Sequence, residues 1–61
     1  MMESWTRTVG QRTVLYTRNV GEAGSVFTAQ VEGEIVVYSG AGQGQWTRAQ
    51  VEEKFANNVG G

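Results

Sequence analysis

The plainest hydrophobic pattern in the chain lies in residues 25–32, where apolar and polar residues alternate in the order FTAQV. This alternation is typical of a β-strand with one buried face. Glu32-Gly33 then predicts a tight turn, and residues 34–39 contain the continuously apolar run IVVY. We therefore predict two neighbouring strands, at about residues 25–32 and 34–39.

Residues 5–18 predict an earlier strand, because they are rich in Thr, Val and aromatic residues that favour a pleated surface. Gly10 interrupts them. One interpretation is a two-residue hairpin turn at Gly10-Gln11, which would pair Trp5 with Tyr16. The other is one long strand with a bulge at Gly10, and we favour this single bent strand.

The C-terminal part of the chain contains a well-specified helix start. Thr47 is a good N-cap residue, and Gln50, three residues later, completes a capping box. We predict a helix over about residues 47–57, followed by a loose tail at residues 59–61.

These elements predict an α+β fold in a single small domain, residues 1–61. The expected architecture is an antiparallel three- to four-stranded β-meander followed by one C-terminal α-helix packed on the sheet.

The IVVY run indicates a strand that is covered on both faces. The predicted helix covers one face, so we expect a second copy of the chain on the other. A chain of 61 residues buries only about 60% of its unfolded surface, and it has no Cys for disulfides. We therefore expect a homo-oligomer with Ile35, Val37 and Val26 in its interface.

The composition argues against catalysis. The chain contains no Cys, His, Pro or Asp, and all six acidic residues are Glu. Without Cys there is no thiolate nucleophile, and without His there is no near-neutral base to activate a serine. We expect no enzymatic activity, no catalytic residues, no metal site and no cofactor.

The glycine-rich segment from Gly40 to Arg48 is the strongest candidate for a binding site. It connects a strand to a capped helix, and free N–H groups at a helix start bind anions. Arg48 would add a bidentate contact, and Trp46 would stack on a base. The other interpretation is a tight turn with Trp46 packed in the core. The predicted site for a small anionic, nucleotide-like ligand comprises Gly40, Gly42, Gln43, Gly44, Gln45, Trp46, Thr47 and Arg48.

A second cationic group, Arg7, Arg12 and Arg18, gives residues 1–20 a net charge of +2 when Glu3 is included. The rest of the chain is acidic, and the total is −1. Because polyanion binding depends on many basic contacts, we favour the interpretation of these residues as solvated edge-strand charges. Nucleic-acid binding through the arginines of the first strand is the less favoured alternative.

These patterns favour a non-enzymatic, small oligomeric binding protein, of the kind that serves as a viral accessory or inhibitor by sequestering a nucleotide-like ligand. The alternative is a protein–protein interaction or inhibitor module that uses the exposed sheet face. No segment resembles a signal peptide or a transmembrane span. We therefore expect no membrane association and a cytoplasmic location, in the host cytoplasm if the protein is viral.

Overall fold

A computed structural model describes residues 1–60 of the chain. Four strands form one antiparallel sheet in the order β1-β2-β3-β4, and two short helices follow. The fold is α+β, as predicted. The elements are β1 (Met2–Val9), β2 (Arg12–Gly21), β3 (Gly24–Val31), β4 (Val37–Gly42), α1 (Arg48–Lys54) and α2 (Ala56–Val59).

The first two strands form a hairpin whose turn is Gly10-Gln11. Gly10 has φ 64, which glycine adopts without strain at the first central position of a two-residue hairpin turn. Trp5 pairs with Tyr16 across the hairpin. The favoured interpretation, one bent strand over residues 5–18, is therefore wrong, and the hairpin alternative is confirmed.

The last strand begins later than predicted. β4 runs from Val37 to Gly42 rather than over residues 34–39, and Ile35 lies in the preceding loop with 97% of its surface exposed. Gly40 and Gly42 of β4 pair with β3, where the rings of Phe27 and Trp46 leave no room for a larger side chain. A Cβ at Gly40 would lie 3.1 Å from the Phe27 ring. The apolar IVV run therefore does not mark a strand buried on both faces.

The structure has two short helices in place of the one predicted over residues 47–57. The first, α1, ends at Lys54, and the second, α2, extends the helical region to Val59. Thr47 caps α1 with the expected capping box to Gln50. The helix breaks at Phe55, and α2 continues to Val59, which is only 1% exposed. Val59 therefore belongs to the core and not to a loose tail. Gly61, the last residue of the predicted tail, lies outside the described residues.

The hydrophobic core lies between the helices and one face of the sheet, here called the inner face. The Trp5 and Tyr16 rings stack with centroids 5.6 Å apart, and Phe55 from the helical region meets Phe27 edge-on at 6.1 Å. The buried core residues are Trp5, Val14, Tyr16, Phe27, Ala29, Val31, Val51, Phe55 and Val59.

The opposite side of the sheet, here called the outer face, carries no helix in the described chain. Because side chains alternate along a strand, it consists of every second residue of the four strands. These are Met2, Ser4, Thr6, Thr8, Thr13, Leu15, Thr17, Asn19, Val26, Thr28, Gln30, Val37, Ser39 and Ala41.

Candidate functional site

The predicted ligand-binding segment is divided among three elements. Gly40 and Gly42 lie in β4, where they are half-buried, and Arg48 is the first residue of α1. The segment between them, residues 43–47, is the connecting loop. The structure thus keeps the predicted strand-to-helix connection but makes its first glycines part of the sheet.

Trp46 packs onto the sheet. Its ring centroid lies 4.9 Å from that of Phe27, and its indole Nε1 donates a hydrogen bond to the Gln43 carbonyl at 3.2 Å. Ser25, which is 2% exposed, donates to the Gly44 carbonyl at 2.6 Å. These contacts hold the loop against the sheet. Because one face of the Trp46 indole packs on Phe27, that face is not open to a nucleobase.

The start of α1 uses its own side chains as partners for its backbone N–H groups. Gln50 N donates to Thr47 Oγ1 at 3.2 Å, and Thr47 N donates to Gln50 Oε1 at 2.8 Å. Val51 N donates to the Thr47 carbonyl at 3.1 Å. The N–H groups of Thr47 and Gln50 are thus occupied by the capping box and do not point to an external anion.

Arg48 already has an anionic partner. Its Nε lies 3.4 Å from Oε1 of Glu3, and its guanidinium lies 5.0 Å from the centroid of the Trp5 ring. Glu3 also pairs with Arg18 at 2.8 Å, and Arg18 Nη1 donates to the carbonyl of Trp46. Arg48 and Arg18 thus connect β1, β2 and the loop before α1.

The three arginines of the first hairpin are each paired with a glutamate. Arg7 lies 3.3 Å from Glu52, Arg12 lies 3.1 Å from Glu34, and Arg18 pairs with Glu3 as described. A row of free cations for a phosphate backbone is therefore not formed. Arg7 and Arg18 lie on the inner side of the sheet, where they contact residues near the helices.

The phenol of Tyr16, a core residue, has a shifted pKa. Burial raises the pKa of its phenol above 10.0, the Glu52 carboxylate raises it further, and Arg7 opposes this change. Tyr16 is a core residue that is 1% exposed, so this shift reflects its packing.

The outer face is the distinctive surface of the molecule. None of its fourteen side chains is charged, although the chain has eleven charged residues, five Lys or Arg and six Glu. Val26 and Val37, two of the predicted interface residues, lie on this face with about half of their surface exposed. Ile35, the third, lies in the loop beside it.

Sequence reasoning missed most of this face. Once Gly10-Gln11 is taken as a turn, every second residue from Met2 to Thr8 and from Thr13 to Asn19 is uncharged. That periodicity was the available signal. A hollow of about 420 Å³ lies on the same face between Thr6, Thr13, Leu15, Gln30, Glu32 and Gly33.

The described residues show neither a metal cluster nor a membrane span. Within residues 1–60, His, Cys, Asp and Glu residues do not group in threes in a way that would hold a metal ion. The helices of the same residues are too short and too polar to cross a bilayer.

Comparisons of the chain with protein-family models, with curated proteins and with solved structures gave no match.

Proposed function

We propose that this chain is a non-enzymatic protein-interaction module whose binding surface is the outer face of its sheet. The observation that supports the proposal is the absence of charge from that face. Roughly a quarter or more of a soluble protein's surface residues are charged, so fourteen positions would ordinarily include three or four charges. Loss of charged residues is typical of the buried centre of a protein interface.

The apolar residues of the outer face support the same function. Met2 is 67% exposed, Val26 55% and Val37 50%, and Leu15 lies between them on a central strand. They lie in two rows across the sheet, Met2 with Val26 and Leu15 with Val37, on either side of a polar row. Exposed apolar side chains that are gathered on one face favour a binding surface.

The polar groups of this face suit binding rather than reaction. The polar side chains among its fourteen residues are hydroxyls and amides, and a carboxylate, that of Glu32, lines only the hollow at the margin. A serine or threonine nucleophile needs a base held beside it, and the fourteen side chains include none. The same groups donate and accept hydrogen bonds, which suits an interface.

Site-specific photocrosslinking tests the proposal. p-Benzoylphenylalanine at Ser39, which is exposed on the outer face, is compared with the same amino acid at Ala49, which is exposed on α1. We expect covalent protein adducts on irradiation in the producing cell from position 39 and not from position 49. Absence of adducts from position 39, or equal yields from both, would refute the outer face as the binding surface.

Binding of a nucleotide-like ligand at Gly40–Arg48 is a separate prediction, which does not involve the outer face. The contacts of Arg48 with Glu3 and Trp5 and the packing of Trp46 on Phe27 favour the other interpretation of this segment, a packed strand-to-helix connection.

A further inference from the structure

The centre of the outer face is a single row of hydroxyl side chains that crosses all four strands. Ser4 is paired with Thr17, Thr17 with Thr28, and Thr28 with Ser39. The Thr17 and Thr28 hydroxyls hydrogen-bond to each other. We call these four residues the hydroxyl row.

The hydroxyl row is chemically self-complementary. A hydroxyl both donates and accepts hydrogen bonds, so a row of hydroxyls can pair with an identical row. A row of carboxylates or ammonium groups could not do so, because like charges that face each other are destabilising.

Two-fold symmetry brings the hydroxyl row against itself. If two outer faces stack with the symmetry axis along the strands, Thr17 faces Thr28 of the other copy. If the axis runs along the row, Thr28 faces Thr28. In both arrangements the row of one copy covers the row of the other, and the apolar rows beside it also meet.

We propose that a second copy of this chain occupies the outer face, so that two sheets pack face to face as a β-sandwich. This inference rests on the proposed function, since it names the partner of the same surface. Sheets that stack in this way are about 10 Å apart, with strands about 30° from parallel. The fourteen side chains that face each other are uncharged, so charge enters the interface only at its margin, where Glu32 lines the hollow beside Leu15.

The available area is sufficient for a small dimer interface. A standard interface buries about 800 Å² per partner through 20–30 residues. At that ratio, fourteen residues with the exposed Ile35 and Val36 beside them bury roughly 500 Å² per copy. The total of about 1,000 Å² is at the lower limit for a specific interface. We expect weak, reversible association, because hydroxyls and a few aliphatic side chains must offset the entropy lost on association.

Sedimentation equilibrium from micromolar to millimolar concentration tests the dimer. We expect the mass to rise from 6.6 kDa to twice that value. Val26→Lys and Val37→Lys place like charges in the interface at exposed positions that tolerate them, so each should keep the chain at 6.6 kDa throughout. The matched variant Ala49→Lys, on the exposed surface of α1, should dimerise as the parent chain does.

Disulfide trapping tests the geometry, and the absence of native Cys keeps the background clean. Under mild oxidation we expect a covalent dimer either from Thr28→Cys alone or from a mixture of Thr17→Cys and Thr28→Cys chains. Ala49→Cys should stay monomeric. Equal trapping at position 49 would overturn the face-to-face arrangement, because it would indicate random collision.

The outcomes separate this inference from the proposed function. A parent chain that stays at 6.6 kDa at millimolar concentration overturns the dimer. If photocrosslinking from Ser39 then still gives adducts of other masses, the outer face binds a different protein and the proposed function stands. If the crosslinker gives no adduct and no dimer is found, both fail.

Discussion

Gly42 lies directly against the indole ring of Trp46. A Cβ at residue 42 would be 2.8 Å from Trp46 Nε1 and 2.9 Å from two ring carbons, closer than side chains approach one another. The absence of a side chain at residue 42 therefore allows the loop tryptophan to come this close to the edge strand.

Gly42→Ala tests this contact. We expect the variant to lose about 1–3 kcal/mol of unfolding free energy, the usual cost of overpacking a close contact, as measured by urea denaturation. Gly21→Ala is the matched control, since its nearest neighbour would be a backbone oxygen at 3.8 Å. Equal stabilities of the two variants would contradict the role of Gly42.

Glu3→Gln should destabilise the chain by about 1–2 kcal/mol. The Glu3 carboxylate binds the half-buried Arg18, and removal of one member of such a pair leaves the charge of the other uncompensated. Arg18 Nε is already buried without a partner among residues 1–60. Glu34→Gln, at the more exposed pair with Arg12, should cost about 0.5 kcal/mol or less. Chemical denaturation at the same ionic strength gives the free energies of unfolding of both variants for comparison.

Val59→Ala should lower the free energy of unfolding by about 1–3 kcal/mol, since it creates a cavity in the core. Asn58→Ala, at an exposed neighbouring position, should change it by about 0.5 kcal/mol or less. Thermal unfolding followed by circular dichroism distinguishes the two. A Val59→Ala variant as stable as the parent chain would contradict the burial of Val59 in the core and would support a loose tail.

Stability should fall as the pH rises above 10.0, because the pKa of Tyr16 is raised by burial and by Glu52. The unfolded phenol loses its proton near pH 10.0, while the folded phenol holds it to higher pH. The stability that this protonation supplies is therefore complete below pH 10.0 and is lost as the pH rises through the folded pKa. Tyr16→Phe should make this decline in melting temperature less steep, as measured by thermal unfolding over a series of pH values.

Calorimetric titration with ATP and with inorganic phosphate tests the predicted anion site. We expect no saturable binding, since Arg48 is engaged by Glu3 and the capping box occupies the N–H groups of Thr47 and Gln50. Saturable binding that is lost in Arg48→Ala and kept in Lys54→Ala would establish the site instead.

Much of the fold followed from local patterns in the sequence. The alternation in residues 25–32 predicted β3, and the Thr47–Gln50 spacing predicted the capped start of α1. Both signals act within a few residues, so no knowledge of distant neighbours was needed.

The errors arose where distant contacts decided the structure. The IVVY run suggested a strand over residues 34–39, but β3 pairs with the glycine-containing segment of β4 because Gly40 and Gly42 fit beside Phe27 and Trp46. The sequence predicts a tail from Val59 because Asn57 and Asn58 can adopt the left-handed conformation that ends a helix. The burial of Val59 depends on α2, which the local pattern did not indicate.

The candidate surface was only partly predictable for the same reason. Val26 and Val37 were predicted as exposed interface residues from their hydrophobicity. The hydroxyl row could not be recognised, because Ser4, Thr17, Thr28 and Ser39 are far apart in sequence and become neighbours only through the register of three hairpins.

The position of Val51, Phe55 and Val59 has a consequence for synthesis on the ribosome. The three hairpins join residues that are close in sequence and can form early, but the inner face of the sheet is covered by side chains from the last quarter of the chain. The inner face of the sheet is therefore uncovered when the strands leave the ribosome. The core is completed only after residue 59 has left the exit tunnel, so the helical region is the last part of this fold to be added.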